Sequence, residues 1–272
     1  MNLEDILARV QRLRWRLSKP VTSFLVGPYR STFKGEGIEF ADARPYERGD
    51  DLRRIHWSLS ARKNQPYIWL GQEERELSCV IAIDRSASMR ISPLKEQMTL
   101  EAAVAMGLSA MLNGDKVRWV SFTDRIEFFS PAKRGERHIW GSLAHLLAQK
   151  PKSRKTCLSP LLSWFAMLHK RRALLVIISD LFLQDEGEIW RLVEALAIKH
   201  FVCLIRPLTP EEALDLPWGM LPIQEVETGI RATAKGGLSL PLLPITRLRI
   251  ASLTSESDIL LTLRQALLPP LH

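Results

Sequence analysis

The chain has 272 residues, 46% hydrophobic and 25% charged, an ordinary globular composition long enough to bury a core without disulfide or metal staples. Its three cysteines, Cys79, Cys157 and Cys203, are widely spaced and contain no CxxC pair, which excludes a disulfide framework and fits a reducing compartment. The net charge of +8 is spread out, with 14 basic and 10 acidic side chains in residues 1–75. There is no zinc-finger spacing and no aromatic-basic sheet signature, so nucleic-acid binding is not expected.

The opening MNLEDILARV places acidic residues where a signal peptide has a basic end. No apolar run approaches the roughly 20 residues of a spanning helix. The expectation is a cytoplasmic protein. Residues 2–18 read as an amphipathic helix, with Leu3, Ile6, Leu7, Val10, Leu13 and Leu17 at helical spacing, Asn2 as N-cap and Pro20 ending the run. Arg9, Arg12, Arg14 and Arg16 surround that stripe, so the helix either docks on the body of the protein or contacts an anionic membrane surface. From Val21 to about Glu76 the sequence is dense in Gly, Pro, Asp and Arg, with short apolar pieces at Ile38–Phe40 and Tyr67–Leu70. That pattern predicts a small module of short strands and turns without a long helix.

From Leu77 onward, strands and helices alternate. Ser78–Asp84 (SCVIAID) is a short β-branched run, followed by a helix over Pro93–Leu112 and a turn at Asn113-Gly114-Asp115. Lys116–Phe122 reads as a strand and Ile126–Phe129 as a short edge strand. His138–Ala148 and Ser159–His169 read as helices. Ala173–Ser179 (ALLVIIS) is the clearest buried strand, then come a helix at Glu188–Ile198 and a strand at Phe201–Ile205. Arg247–Leu253 and Glu256–Leu268 read as a last strand and a closing helix. Strands apolar throughout and separated by helices indicate a doubly wound α/β domain with a mostly parallel sheet.

Ligands of open α/β sheets bind outside the carboxyl ends of the strands. Just past the first strand of this domain lies Asp84-Arg85-Ser86-Ala87-Ser88, a D-x-S-x-S run, and Asp180 follows ALLVIIS. Thr156 lies in the basic loop between them. Two carboxylates and three hydroxyls suit a hard divalent cation such as Mg²⁺, or Mn²⁺. An ion held mainly by neutral hydroxyls stays electrophilic and accepts a carboxylate from outside. Taken singly, Asp84, Ser86 and Asp180 also read as strand ends and helix caps.

This set resembles the metal-ion-dependent adhesion site of von Willebrand factor A domains. The resemblance implies Asp84, Ser86 and Ser88 as direct or water-bridged ligands, Thr156 as a state-dependent ligand and Asp180 as a ligand through water. Ser153 and Ser159 are alternatives to Thr156, because the glycine often found before that threonine is missing. Upstream, Gly35-Glu36-Gly37-Ile38-Glu39-Phe40, Arg44-Pro45-Tyr46, Gly49-Asp50-Asp51, Arg53-Arg54-Ile55-His56-Trp57 and Ser60-Ala61-Arg62 are similar to the signature of the bacterial domain of unknown function 58 family. Here His56 stands where aspartate is frequent, the membrane segments of many members are missing, and Thr233–Pro244 replaces an expected helix. The implied organisation is a helix at 1–19, a small β-rich signature module at 20–76 and a von Willebrand factor A-like domain at 77–272. The implied partners are a MoxR-type AAA+ ATPase and an acidic residue of a bound protein.

Arg44, Tyr46, Asp50, Asp51, Arg53, Trp57 and Arg62 are the candidate partner-binding residues, since Arg, Tyr and Trp are favoured interface anchors. An ion-pair network bracing the module is the other reading of the same cluster. His56, His138 and His145 read as structural. No phosphate-binding loop and no G-x-S-x-G elbow is present, and a non-enzymatic adaptor is expected. The enzymatic alternative is a Mg²⁺- or Mn²⁺-dependent phosphoesterase with Arg85 and Arg90 supplying charge.

Overall fold

The computed structural model describes residues 3–34, 43–69, 77–181, 186–213, 221–224, 231–234, 247–254 and 258–268. The stretch 35–42, with Ile38–Phe40, lies outside them, as do Asn2 and most of Thr233–Pro244.

The N-terminal arm departs from expectation. Helix α1 (Leu3–Phe24) runs through Pro20, and after a turn at Leu25 helix α2 (Val26–Lys34) follows. The segment 20–34, expected to open a β-rich module, is therefore helical. A proline inside a helix costs about 3 kcal/mol. The offset is burial, because Val10, Leu17, Val21, Leu25, Tyr29 and Phe33 all join the main core. The helical hydrogen-bond pattern persists across the turn, from Leu25 N–H to Val21 O and from Tyr29 N–H to Leu25 O. The apolar stripe of α1 thus docks on the protein body, while Leu3, Leu7, Trp15 and Phe24 remain exposed.

Strands β1 (Ala43–Pro45) and β2 (Tyr67–Trp69) form a two-stranded antiparallel sheet, with helix α3 (Trp57–Lys63) between them in sequence. His56 caps α3 by accepting the Leu59 N–H on Nδ1, the structural role expected of it.

The α/β body follows the predicted order. Its elements are β3 (Ser78–Asp84), α4 (Pro93–Leu112), β4 (Lys116–Phe122), β5 (Ile126–Phe129), α5 (Glu136–Ala148), α6 (Ser159–Leu168), β6 (Ala173–Ile178), α7 (Glu186–Lys199) and β7 (Phe201–Pro207). Then come α8 (Pro210–Ala213), the antiparallel pair β8 (Leu221–Gln224) and β9 (Arg231–Ala234), β10 (Leu248–Leu253) and α9 (Ile259–Leu267). Among the described residues, six strands form the main sheet in the order β10-β7-β6-β3-β4-β5. All neighbours are parallel except the edge strand β5.

Side chains alternate across this sheet. Cys79, Ile81 and Ile83 of β3 face the core formed with α1, α2, α4, α5 and α9, whereas Val80 and Ala82 face the core formed with α6 and α7. Helix α4 starts with Ser92 capping the Leu94 N–H and Pro93 in the first turn. It is buried from Met98 to Ala110, wedged between the sheet and the N-terminal arm. That placement explains why it is apolar almost all round.

Candidate metal centre

The carboxyl ends of β3 and β6 lie side by side, since Ile83 pairs with Ile178. The polar residues that follow them are therefore brought together. Asp84 is buried; its Oδ1 accepts the Ser86 N–H at 2.8 Å. Its Oδ2 accepts hydroxyls from Ser179 at 2.7 Å and from Thr156 at 3.4 Å. Ser86 Oγ lies 3.1 Å from Ser88 Oγ. The Thr156 loop is tied to the D-x-S-x-S loop through its backbone, with Ala87 N–H donating to Arg154 O at 2.9 Å.

Asp84, Ser86, Ser88 and Thr156 are thus gathered at one edge of the sheet, together with Ser179. Burial pushes the Asp84 carboxyl up to about 7, and the neighbouring Asp180 carboxylate adds to that shift. Hydrogen bonds from Ser86 and Ser179 oppose it. A cation placed there would remove the cost of a buried anion.

Asp180 occupies a different electrostatic position from its neighbours. Its carboxylate, fully buried, pairs with the Lys95 ammonium at 2.8 Å, and Lys95 also pairs with Glu212 at 2.8 Å. Lys95 stands in the first turn of α4, where the helix dipole disfavours a cation, and the two carboxylates offset that penalty. The loop after β6 is held further by Asp180 N–H on the Met89 sulfur, Leu181 N–H on Ser179 Oγ, and Arg206 Nε on Asp180 O. Leu181 adopts φ +59°, a conformation uncommon for a residue with a Cβ.

The sequence reading did not find Lys95, Glu212, Ser179 or Glu127. Glu127 Oε1 accepts the Thr123 hydroxyl and the backbone N–H groups of Lys152 and Ser153, fixing the loop that presents Thr156. A signal for Lys95 did exist, as a lysine in the first turn of a mostly apolar helix. Arg85 donates to the carbonyls of Leu146 and Gln149 at the C-terminus of α5, and Arg90 Nε to Ser86 O. Both arginines therefore serve the scaffold of the loop.

The oxygen set fits a hard divalent cation. One carboxylate and the hydroxyls of Ser86, Ser88 and Thr156 would hold it, and the charge of Asp180 is already countered by Lys95. In the small module, Arg44 pairs with Asp50 at 2.6 Å, Glu47 N–H donates to Asp50 Oδ2, and Asp51 caps the turn at Arg53. These contacts brace the module. Trp57, at 74% exposure, and Leu52, at 62%, face solvent together with Arg53 and Arg62, while Tyr46 is half-buried.

Among solved structures, the chain is similar to the conserved hypothetical protein BatB from Bacteroides thetaiotaomicron. That match has 15% identity and a TM-score of 0.42, and covers 70% of this chain and 96% of that one. It is also similar to a von Willebrand factor type A protein from Catenulispora acidiphila, at 12% identity and a TM-score of 0.44, covering 71% of this chain and 42% of that one. Among curated sequences it is 27% identical over 233 residues to Uncharacterized protein Rv1480 of Mycobacterium tuberculosis strain H37Rv, covering 83% of this chain and 72% of that protein. An uncharacterized protein of Mycobacterium bovis matches to the same extent. Residues 42–235 match the family model described as Protein of unknown function DUF58, and the chain belongs to that family.

Proposed function

We propose that this protein is a non-enzymatic, metal-dependent adaptor that captures an acidic side chain of a partner protein at the carboxyl edge of its sheet. The observation that carries this reading is the gathering of Asp84, Ser86, Ser88 and Thr156 around one point at the ends of β3 and the Thr156 loop. A divalent cation, Mg²⁺ or Mn²⁺, would supply an electrophilic point there for an incoming carboxylate. The exposed Trp57, Leu52, Arg53 and Arg62 of the small module offer a second contact area for the same partner or another.

The resemblance of the signature residues supports a MoxR-type AAA+ ATPase as collaborator, in a cytoplasmic setting. Among the described residues, no helix is long and apolar enough to cross a membrane. The phosphoesterase reading is the weaker one, because Arg85 and Arg90, its candidate charge donors, are engaged with backbone carbonyls.

The test is capture of a cognate MoxR-type ATPase and its clients on immobilised protein with Mg²⁺, with EDTA, and with Asp84→Ala. Capture lost with EDTA and in the variant, with the fold retained, supports the adaptor. Equal capture in all three conditions sinks the metal bridge. Phosphoester turnover with Mn²⁺ that Asp84→Ala abolishes would favour the enzyme instead.

A further inference from the structure

The centre contains a cation of its own. Lys95 is fully buried, reaches the site from the first turn of α4, and holds Asp180 of the β6 loop and Glu212 of α8 at 2.8 Å each. A buried ammonium between two carboxylates is stable only because its charge is matched. Asp180 directly follows Ser179, whose hydroxyl donates to Asp84 Oδ2 at 2.7 Å, so this ion pair lies next to the oxygen set. A divalent cation and an ammonium are alternative ways to neutralise the same carboxylate.

We infer that Lys95 is a positioning residue that withholds Asp180 from the metal socket and so limits the affinity of the socket for divalent ions. This rests on the metal reading above and adds a regulator to it. With Asp180 held by Lys95, the ion is offered one carboxylate and several hydroxyls. Without the lysine, it is offered two carboxylates. The affinity of an oxygen site depends on how many charged ligands it presents. The tether also links the socket to α8, because Glu212 shares the Lys95 ammonium with Asp180.

The experiment uses the full chain, stripped with EDTA and titrated with Mn²⁺. Binding is followed by the electron paramagnetic resonance signal of the free ion and by thermal unfolding. Lys95→Met is expected to bind Mn²⁺ at least about tenfold more tightly than wild type, in line with the added carboxylate. Lys95→Met combined with Asp180→Asn, which exchanges the buried pair for neutral groups, is expected to bind like wild type. If the single variant folds only when Mn²⁺ is supplied, that dependence supports the inference too.

Wild type that binds while Lys95→Met binds no more tightly overturns the inference and leaves the metal reading standing. A double variant that loses binding by about tenfold or more also overturns it, since Asp180 would then be an ordinary ligand. A double variant that gains as much as the single one overturns it as well, because charge repulsion alone would explain the gain. Binding by Lys95→Met but not by wild type supports the inference and removes the metal reading for the native protein. No binding by any of the three overturns both.

Discussion

The phenol of Tyr29 donates a 3.0 Å hydrogen bond to Oδ2 of Asp115, with both residues buried. The bond ties the N-terminal arm to the turn that launches β4. Burial, with Cys79 and Asp115 adding to it, holds the phenol protonated well above its ordinary range. Tyr29→Phe removes one donor from a buried carboxylate and is expected to cost about 1–3 kcal/mol. Urea unfolding of the variant, alone and with Asp115→Asn, measures the coupling. Additive losses would show that the bond contributes nothing.

Gly107 lies in the middle of α4 against an aromatic wall. A Cβ there would stand 3.0 Å from two ring atoms of Trp119 and 3.4 Å from Trp140. Both rings are fully buried, and Trp119 is also anchored by Nε1 donating to Ile139 O at 2.8 Å. Helix propensity alone says that Gly107→Ala should stabilise by about 1 kcal/mol. Overpacking opposes this, and the expected net result is a loss of about 1–3 kcal/mol with altered tryptophan fluorescence. A raised melting temperature would show that the rings move aside.

His169 and His200 both pack on the Phe165 ring, at 4.7 Å and 5.0 Å. Burial is the main cause that lowers both, taking His169 from 6.5 to about 4. The unfolded chain therefore binds more protons between those values, and stability falls as pH drops from about 6.5 towards 4. The expected contribution of His169 is about 1–2 kcal/mol after allowing for its partial exposure. His169→Gln should flatten the stability profile in that window and leave it unchanged above pH 7. An unchanged slope would place the effect elsewhere.

Metal removal gives the most direct reading of the centre. Mg²⁺ at 100 times its dissociation constant should stabilise EDTA-stripped protein by about 2.7 kcal/mol. For a chain of this length that is a rise in melting temperature of roughly 5–10 °C. Asp84→Ala should abolish the rise. A rise of equal size in the variant would mean that the ion binds somewhere else.

The α/β body was legible because its strands are buried on both faces and so read as unbroken apolar runs. SCVIAID and ALLVIIS emerged as β3 and β6 with ends shifted by at most one residue. The D-x-S-x-S loop was legible for the same reason, since a strand end fixes where its polar residues must sit. The arm was misread from Pro20 onward, where the proline and the Gly- and Pro-dense stretch after it masked the four-residue spacing of Val21, Leu25, Tyr29 and Phe33. Tertiary burial overrode propensity there. The pairing of Asp180 with Lys95 was invisible because the partners stand 85 residues apart, and Glu212 lies 117 residues from that lysine. Only the sheet order brings them together.

Helix α1 packs against α4, α5 and α9, and α2 against α4 and α9. The Thr32 hydroxyl of α2 donates to the Leu267 carbonyl of α9. A growing chain presents its N-terminal residues first, so the arm leaves the ribosome long before residues 259–267 exist to complete its seat. The centre waits as well, because β3 is enclosed only after β6 has been made. Nascent chains arrested before residue 259 can seat the arm on α4 and α5 but should leave its α9 side uncovered, an apolar strip open to chaperones and proteases. Release of α9 from the finished protein would recreate that immature surface.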